Sequence, residues 1–342
     1  MSAPGIRIGL IGYGYWGPNL ARNFNETPGA CIAAISDLSK DRLALAKARY
    51  PNAEVTTEHD RVLGDPKIDA VIIATPVTTH YPLVKRALEN GKHVLVTKPI
   101  TSKVSEGSEL CNLAEKKGLV LMVDHTFIFT GAVKKIKQLV EDGSVGPLYY
   151  YDSVRINLGL FQHDVNVLWD LAVHDLSIMQ YLHGALPNEV SATGISHFAK
   201  QPENVAYLTC FFSDNFIAHL HVNWLAPVKI RRTLIGGERQ MIVYDDLEPD
   251  EKVKIYDKGV DVKTREGAYQ LLVSYRAGDM RAPQLDRKEA LAVEAAHFVE
   301  CINKKAKPIT DAPSAVGLVG ILEAANESLK GGGRPVKVQQ VL

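Results

Sequence analysis

Three side chains have the types and spacing needed to move a proton to or from a hydroxyl group. Asp170 and His174 lie four residues apart in a stretch, Val167–Leu182, whose pattern predicts one α-helix. Residues four apart share a helix face, so the carboxylate would orient the histidine and make it a general base. Lys98 ends a predicted parallel strand, where it could polarise a hydroxyl or carbonyl group. The alternatives are a surface ion pair and a solvated loop lysine.

A glycine motif near the start of the chain predicts a dinucleotide site. Gly12, Gly14 and Gly17 follow an apolar strand-like run and precede a helical pattern. In that order, a tight turn presents the N–H groups of a helix start to a pyrophosphate. Asp37 stands about 20 residues after the last glycine, where a carboxylate binds the adenosine ribose hydroxyls. No arginine directly follows it to receive a 2′-phosphate, which favours NAD over NADP.

A parallel sheet is needed to bring these groups to one edge. Residues 1–124 alternate short apolar strands with helices, which predicts a Rossmann domain whose sheet is covered by helices on both faces. Ligands of such domains bind at the carboxyl ends of the strands. The residues that stand at such ends are Gly12–Gly17, Asp37, Thr75-Pro76, Lys98-Pro99 and Asp124-His125.

The second part of the chain, residues 125–342, has a different pattern. Alternating strands joined by short turns predict an α+β domain with a large, mostly antiparallel sheet. Helices would cover one face of this sheet, and helices or another subunit the other. The predicted fold class is therefore α/β, with an N-terminal Rossmann domain and a C-terminal α+β domain.

Composition narrows the possible partners. The 342 residues include 39 Lys and Arg and 39 Asp and Glu, and this zero formal charge argues against nucleic acid or an anionic membrane as partner. The four separated cysteines are typical of reduced thiols in a cytoplasmic protein. The first apolar run is too short for a signal peptide, and no run is long enough to span a bilayer. His219 and His221 share a sheet face without further ligands to place beside them, so no metal is expected.

Taken in order, the motifs resemble those of the glucose–fructose oxidoreductase and inositol dehydrogenase family (Gfo/Idh/MocA), over essentially the whole chain. The matching segments are Gly12–Gly17, Thr75-Pro76 with His80, Thr97-Lys98-Pro99 and Asp170 with His174. The resemblance implies a Rossmann domain followed by an open-faced sheet that is usually buried in a homodimer or homotetramer. Thr97 replaces the usual glutamate, which should change how Lys98 is held. Asp124 replaces a small residue and would add a carboxylate near the nicotinamide.

The resemblance also implies roles for individual residues. The lysine and the histidine act at the reacting hydroxyl, and the aspartate supports them. Residues matching the family's cofactor-binding segments would bind NAD: Gly12, Gly14, Tyr15, Trp16, Gly17, Asp37, Thr75, Pro76, His80, Lys98 and His125.

Within the family, four stretches are similar to the branch that acts on nucleotide-linked amino sugars: Arg155–Gly159, Asp164–Asp170, Asn223–Arg231 and Tyr275–Asp279. This similarity implies oxidation of the 3-hydroxyl of UDP-N-acetylglucosamine to a keto group, which supplies an aminotransferase in lipopolysaccharide amino-sugar synthesis. The expected substrate-binding residues are Lys98, Arg155, Asn157, Asn166, Asp170, His174 and Arg231. The alternatives are a keto-sugar reductase, a cyclitol dehydrogenase, and an NAD-binding regulatory protein without turnover.

Overall fold

A computed structural model describes residues 5–159, 165–257, 259–262, 273–276 and 278–340. The stretches Asp164–Asp170 and Tyr275–Asp279 therefore lie partly outside the described residues. The chain forms two compact units, of which the first comprises Met1–Phe129, Lys288–Gly320 and Gln340–Leu342, and the second Thr130–Arg287 and Ile321–Gln339. The predicted domain boundary after residue 124 would place residues 288–320 in the C-terminal domain. In the structure, these residues pack with the first unit instead. The apolar stripe of a helix does not specify which of two cores it joins.

The strands and helices of the described residues have the following bounds. The strands are β1 (Ile6–Ile11), β2 (Ala30–Ser36), β3 (Glu54–Thr56), β4 (Ala70–Ile73), β5 (His93–Thr97), β6 (Leu121–Asp124), β7 (Leu148–Leu158), β8 (Glu189–Ile195), β9 (Val205–Phe211), β10 (Ile217–Asn223), β11 (Leu225–Gly237), β12 (Met241–Asp245), β13 (Val253–Tyr256), β14 (Gly259–Val262), β15 (Val273–Arg276), β16 (Met280–Arg281) and β17 (Val336–Lys337). The α-helices are α1 (Gly17–Glu26), α2 (Lys40–Arg49), α3 (His59–Gly64), α4 (His80–Glu89), α5 (Val104–Lys117), α6 (Gly131–Glu141), α7 (Val173–His183), α8 (Ala290–Lys304) and α9 (Ala312–Lys330).

The first unit is built on a six-stranded sheet with the order β3-β2-β1-β4-β5-β6. All of its strand pairs are parallel, and β4 is buried along its whole length. Apolar runs of this kind need helices on both faces of the sheet, which is why they alternate with helices in the sequence. The predicted Rossmann fold is confirmed. The strand order reverses between β1 and β4, the point at which such sheets bind ligands.

The second unit is built on a nine-stranded sheet with the order β16-β13-β12-β11-β7-β10-β9-β8-β17. Only the β7–β10 pair is parallel among the pairs described, so the predicted, mostly antiparallel sheet is confirmed. Burial alternates along β9: Ala206, Leu208 and Cys210 point into the core, whereas Tyr207 and Phe211 are exposed. β14 and β15 form a separate two-stranded sheet. Within the described ranges, no helix has the length and apolar character needed to cross a membrane.

Candidate active site

The glycine turn between β1 and α1 has the shape of a dinucleotide-binding turn. Gly12 has a φ of +96°, and a Cβ on it would lie 2.3 Å from the carbonyl oxygen of Ala74. A Cβ on Gly17 would lie 2.3 Å from the carbonyl oxygen of Gly12, so α1 can begin here only with glycine. A Cβ on Gly14, by contrast, would meet only the Arg42 guanidinium, at 3.6 Å. The Gly14 backbone is therefore open to a ligand, as close approach to a pyrophosphate requires.

Asp37 lies at the end of β2 and faces the same turn. Its carboxylate accepts hydrogen bonds from the backbone N–H groups of Tyr13, at 2.6 Å, and Ser39, at 2.8 Å. An Arg42 nitrogen lies 3.7 Å from the same carboxylate. Arg42 does not follow Asp37 directly in the sequence and was not predicted, but the first turn of α2 brings it back to the carboxylate. Tyr15 is 89% exposed, and Trp16 is the N-cap residue of α1.

His80 links two strand ends at the reversal point of the sheet. Its ring nitrogens lie 2.8 Å from the carbonyl oxygen of Pro99 and 2.8 Å from that of Thr75. The side chain is buried, and burial lowers the pKa of His80 below its ordinary value. His80 was predicted to bind the cofactor, but the structure places it beneath the loops that carry Thr75, Pro76 and Lys98. Its contacts hold the backbone of these loops at Thr75 and Pro99.

Lys98 follows β5, and its peptide bond to Pro99 is cis. Thr97, the residue that departs from the family motif, lies with its hydroxyl 3.4 Å from His80 Nε2 and 3.4 Å from the carbonyl oxygen of Ile73. The hydroxyl therefore faces the neighbouring strand β4 and His80. Both Lys98 and Thr97 are half-buried.

His125 presents an unsatisfied imidazole at the end of β6. Both ring nitrogens are buried and have no hydrogen-bond partner among the residues that the structure describes. Burial, with the nearby charge of Lys98, lowers the pKa of His125 to about 3, so the ring is neutral. Buried polar atoms are normally paired, so this ring is suited to a polar ligand group. Together with the open Gly14 backbone and the Asp37 carboxylate, it fits a bound dinucleotide.

In the second unit, Asp170 lies on a π-helical turn, Leu168–Ala172, that runs directly into α7. The prediction of one continuous α-helix is wrong at this turn, but a spacing of four residues is still close to one full helical turn, so Asp170 stays one turn ahead of His174. The side-chain oxygen of Asn166 accepts from the N–H groups of Leu168, at 3.2 Å, and Trp169, at 3.4 Å, and so caps this wider turn. Single π turns in longer helices often occur at functional sites.

Trp224 orients the Asp170 carboxylate. Its indole Nε1 donates to Asp170 Oδ2 at 3.1 Å, and the Trp224 side chain is 1% exposed. Asp170 and His174 are both half-buried. Trp224 was not among the predicted site residues, because it stands far from Asp170 in sequence, at the junction of β10 and β11.

Two residues predicted to bind substrate lie in the core of this unit instead. Arg155 is 3% exposed and makes a two-point ion pair with Asp175, with Nε–Oδ2 at 2.7 Å and Nη2–Oδ1 at 3.1 Å. The side-chain amide of Asn166 donates to Asn326 at 2.9 Å and Glu203 at 3.2 Å. These contacts give both side chains structural roles, which the residue types alone did not reveal.

The other two predicted substrate-binding residues lie on neighbouring strands. Asn157 is half-buried near the end of β7. Arg231 stands opposite Arg155 in the β7–β11 pair, is half-buried, and has Nη1 3.2 Å from Asp246 Oδ2. His221, which was not expected to bind metal, stacks on Tyr207 with ring centroids 4.6 Å apart.

The fold agrees with the comparison to known proteins. Residues 6–125 match the oxidoreductase family with an NAD-binding Rossmann fold (GFO/IDH/MocA), and residues 133–243 match the GFO/IDH/MocA C-terminal domain. The chain belongs to the GFO/IDH/MocA family of oxidoreductases, and its first unit contains an NAD-binding Rossmann domain.

Individual relatives match most of the chain. The oxidoreductase YdgJ of Escherichia coli is 33% identical over 72% of this chain and 73% of its own length. A scyllo-inositol 2-dehydrogenase (NAD(+)) of Bacillus subtilis is 27% identical over 96% of this chain and 95% of its own. Among solved structures, the UDP-N-acetylglucosamine 3-dehydrogenase GnnA of Acidithiobacillus ferrooxidans superposes with a TM-score of 0.82, at 23% identity over 96% of this chain and 99% of that one. At that identity the similarity concerns the fold.

Proposed function

We propose that the protein is an NAD-dependent dehydrogenase that oxidises a secondary hydroxyl group of a sugar, with the 3-hydroxyl of UDP-N-acetylglucosamine as the first candidate. The observation that carries the proposal is Asp170, held by the indole of Trp224 on a π turn one helical turn ahead of His174. A carboxylate fixed in this way near a histidine is suited to proton transfer. The NAD-binding unit supplies a lysine, Lys98, at a strand end.

The proposal gives each of these side chains one task. His174 accepts the proton of the substrate hydroxyl. Asp170 orients His174 and stabilises its protonated form. Lys98 polarises the same oxygen or shares its proton. Bound NAD supplies the acceptor for the hydride that leaves the carbon. The lysine and the histidine are proposed to act on the same hydroxyl, so mutation of either is expected to impair proton transfer.

Asn157 and Arg231 support a nucleotide sugar as substrate. They remain half-buried on neighbouring strands and carry an amide and a guanidinium, groups that bind sugar hydroxyls and phosphate oxygens. The Arg231 guanidinium is paired with Asp246, but 27% of the Arg231 side chain is exposed, against 4% for Arg155. The structural neighbour from Acidithiobacillus ferrooxidans carries the name of such an enzyme.

A cyclitol is the second candidate substrate. The Bacillus subtilis relative that matches along nearly the whole of both chains is a scyllo-inositol 2-dehydrogenase. In addition, the ion pair between Arg155 and Asp175 removes one of the cations that a diphosphate would contact. The chemistry at the hydroxyl would be the same, and it would run in either direction.

The test is absorbance of reduced nicotinamide with NAD and, in turn, UDP-N-acetylglucosamine, other nucleotide sugars, scyllo-inositol and myo-inositol. An aminotransferase with glutamate is added to the first reaction to remove the keto product. NADH formed only with UDP-N-acetylglucosamine supports the first candidate, and NADH formed only with an inositol replaces it by the second. If no polyol or keto sugar reacts in either direction while NAD binds, the regulatory alternative is supported instead.

The first prediction concerns the proposed proton-transfer residues. Lys98→Ala and His174→Ala should each lower kcat about 10²–10⁴-fold, the usual contribution of general acid–base catalysis, while the NAD dissociation constant changes little. Matched controls are Lys103→Ala and His59→Ala, at exposed side chains of the first unit, which should leave kcat unchanged. Turnover that survives both active-site substitutions would contradict the assignment.

A further inference from the structure

An arginine side chain lies over the glycine turn of the first unit, next to the carboxylate that faces the same turn. Arg42, in the first turn of α2, has its guanidinium nitrogen Nη1 3.7 Å from Asp37 Oδ2. The same nitrogen lies 3.6 Å from the position that a Cβ on Gly14 would take. Gly14 is open to the pyrophosphate, and Asp37 is suited to the adenosine ribose. The cation therefore stands between the two groups that would hold the adenosine half of the dinucleotide.

The hydrogen-bond donors of this guanidinium are unused in the part of the chain that the structure describes. Its ion pair with Asp37 is too long for a hydrogen bond, and the side chain makes no other such contact there. By contrast, the Arg22 side chain donates to both carboxylate oxygens of Glu289, at 3.0 Å and 2.6 Å. The Arg42 side chain is 55% exposed, and exposed ion pairs contribute little, so it can turn towards a ligand at low cost.

Asp37 does not depend on Arg42 for its own hydrogen bonds. The backbone N–H groups of Tyr13 and Ser39 each donate to one of the two carboxylate oxygens. Both donors stay in place if the guanidinium turns away, so no buried acceptor is left unsatisfied. The same N–H groups also reduce the repulsion that a second anion would meet beside the carboxylate. Arg42 is therefore available to an anionic group of the cofactor close to Asp37.

We propose that Arg42 binds the 2′-phosphate of NADP, so that the chain accepts NADP as well as NAD. NAD presents two ribose hydroxyls to Asp37, whereas NADP adds a two-point contact between its phosphate and the guanidinium. The sequence favoured NAD because the residue directly after Asp37 is Leu38, which carries no charge. The helical turn of α2 supplies the missing cation from further along the chain.

The experiment is calorimetric titration of the full chain with NAD and with NADP, without substrate. The wild type should bind both cofactors. Arg42→Leu should raise the dissociation constant for NADP at least about tenfold, the scale of a hydrogen bond to a charged group, and change that for NAD less than about twofold. Arg42→Lys keeps the charge without the two-point geometry, so its affinity for NADP should lie between the two. Arg49→Leu, the same change at the exposed last residue of α2, should bind both cofactors like the wild type.

Two outcomes of these titrations would overturn the proposal. One is a wild type without measurable affinity for NADP. The other is an Arg42→Leu variant that binds NAD and NADP more weakly by the same factor, because the arginine would then support the turn or the adenosine rather than the phosphate. Unchanged affinity of Arg42→Leu for NAD also shows that the variant is folded.

Salt provides an independent readout of the phosphate contact. Binding of NADP to the wild type should weaken more steeply with ionic strength than binding of NAD, because one more contact between a phosphate and a cation is screened. Arg42→Leu should lose this difference. If the variant keeps it in full, another cation binds the phosphate and the proposal fails. None of these titrations needs a substrate, so they are independent of whether the proposed sugar oxidation is correct.

Discussion

Gly17 begins α1 at a point where no side chain fits. Its Cβ would lie 2.3 Å from the Gly12 carbonyl oxygen, which is backbone and cannot rotate away. Gly17→Ala should therefore push α1 away from the turn and raise the dissociation constant for NAD at least about tenfold (~1.4 kcal/mol). Calorimetry measures this effect.

Gly64→Ala is the matched control for Gly17→Ala. A Cβ on Gly64 meets nothing within 4 Å, so this substitution should leave NAD binding unchanged. Equal effects of the two substitutions would show that the close approach at Gly17 is not what the cofactor needs.

Trp224 is the residue whose removal tests the orientation of Asp170. Trp224→Phe keeps an aromatic ring in the core and removes the N–H that donates to Asp170. We expect kcat to fall about tenfold with unchanged affinity for NAD, because a charge-assisted hydrogen bond contributes about 1.5–3 kcal/mol. Trp224→Phe combined with Asp170→Asn should be no slower than Asp170→Asn alone.

Trp169→Phe is the control for this substitution. Trp169 lies on the same π turn and is buried, and its indole nitrogen has no partner among the described residues. If Trp169→Phe slows turnover as much as Trp224→Phe does, packing rather than the hydrogen bond explains the effect.

At the scale of elements, the ion pair between Arg155 on β7 and Asp175 on α7 joins the sheet to the helix that carries His174. Arg155→Met leaves a buried carboxylate without its partner and should lower the free energy of unfolding by about 3–5 kcal/mol. Adding Asp175→Val should recover most of that loss, because two apolar side chains pack where two charges stood. Urea unfolding measures both. A raised KM with unchanged stability would instead restore Arg155 as a substrate-binding residue.

The same pair shows what the sequence could and could not predict. Apolar runs gave the strands, the sheet class and the ends where Gly12, Asp37 and Lys98 stand, since burial on two faces constrains every residue of a run. The partner of Arg155 depends on which helix face packs on β7, which periodicity does not encode. The π turn was not predicted for a related reason. One wider turn leaves the apolar positions of a helix close to a 3.6-residue period, so the pattern looks like that of an ordinary α-helix.

At the scale of the whole molecule, the open face of the nine-stranded sheet carries exposed apolar side chains, which indicate a binding partner. Tyr207 is 42% exposed, Phe211 37% and Ile217 44%, and Ile217 stands directly opposite Phe211 in the β9–β10 pair. Contiguous apolar side chains of this kind mark interaction surfaces. We propose a second copy of the chain as the occupant, because most oligomers of globular proteins are symmetric assemblies of identical chains that associate through the same surface on each copy.

Ile217→Asp tests this surface. A charge at its centre would have to be desolvated against the partner's apolar side chains, so the variant should dissociate to a monomer at concentrations where the wild type is a dimer or tetramer. Light scattering after size-exclusion chromatography measures the mass, and circular dichroism checks that the sheet is intact. Leu45→Asp, at a 68% exposed position of α2 in the first unit, should keep the wild-type mass. A monomeric wild type, or an Ile217→Asp variant of unchanged mass, would show that copies of the chain do not associate through this face.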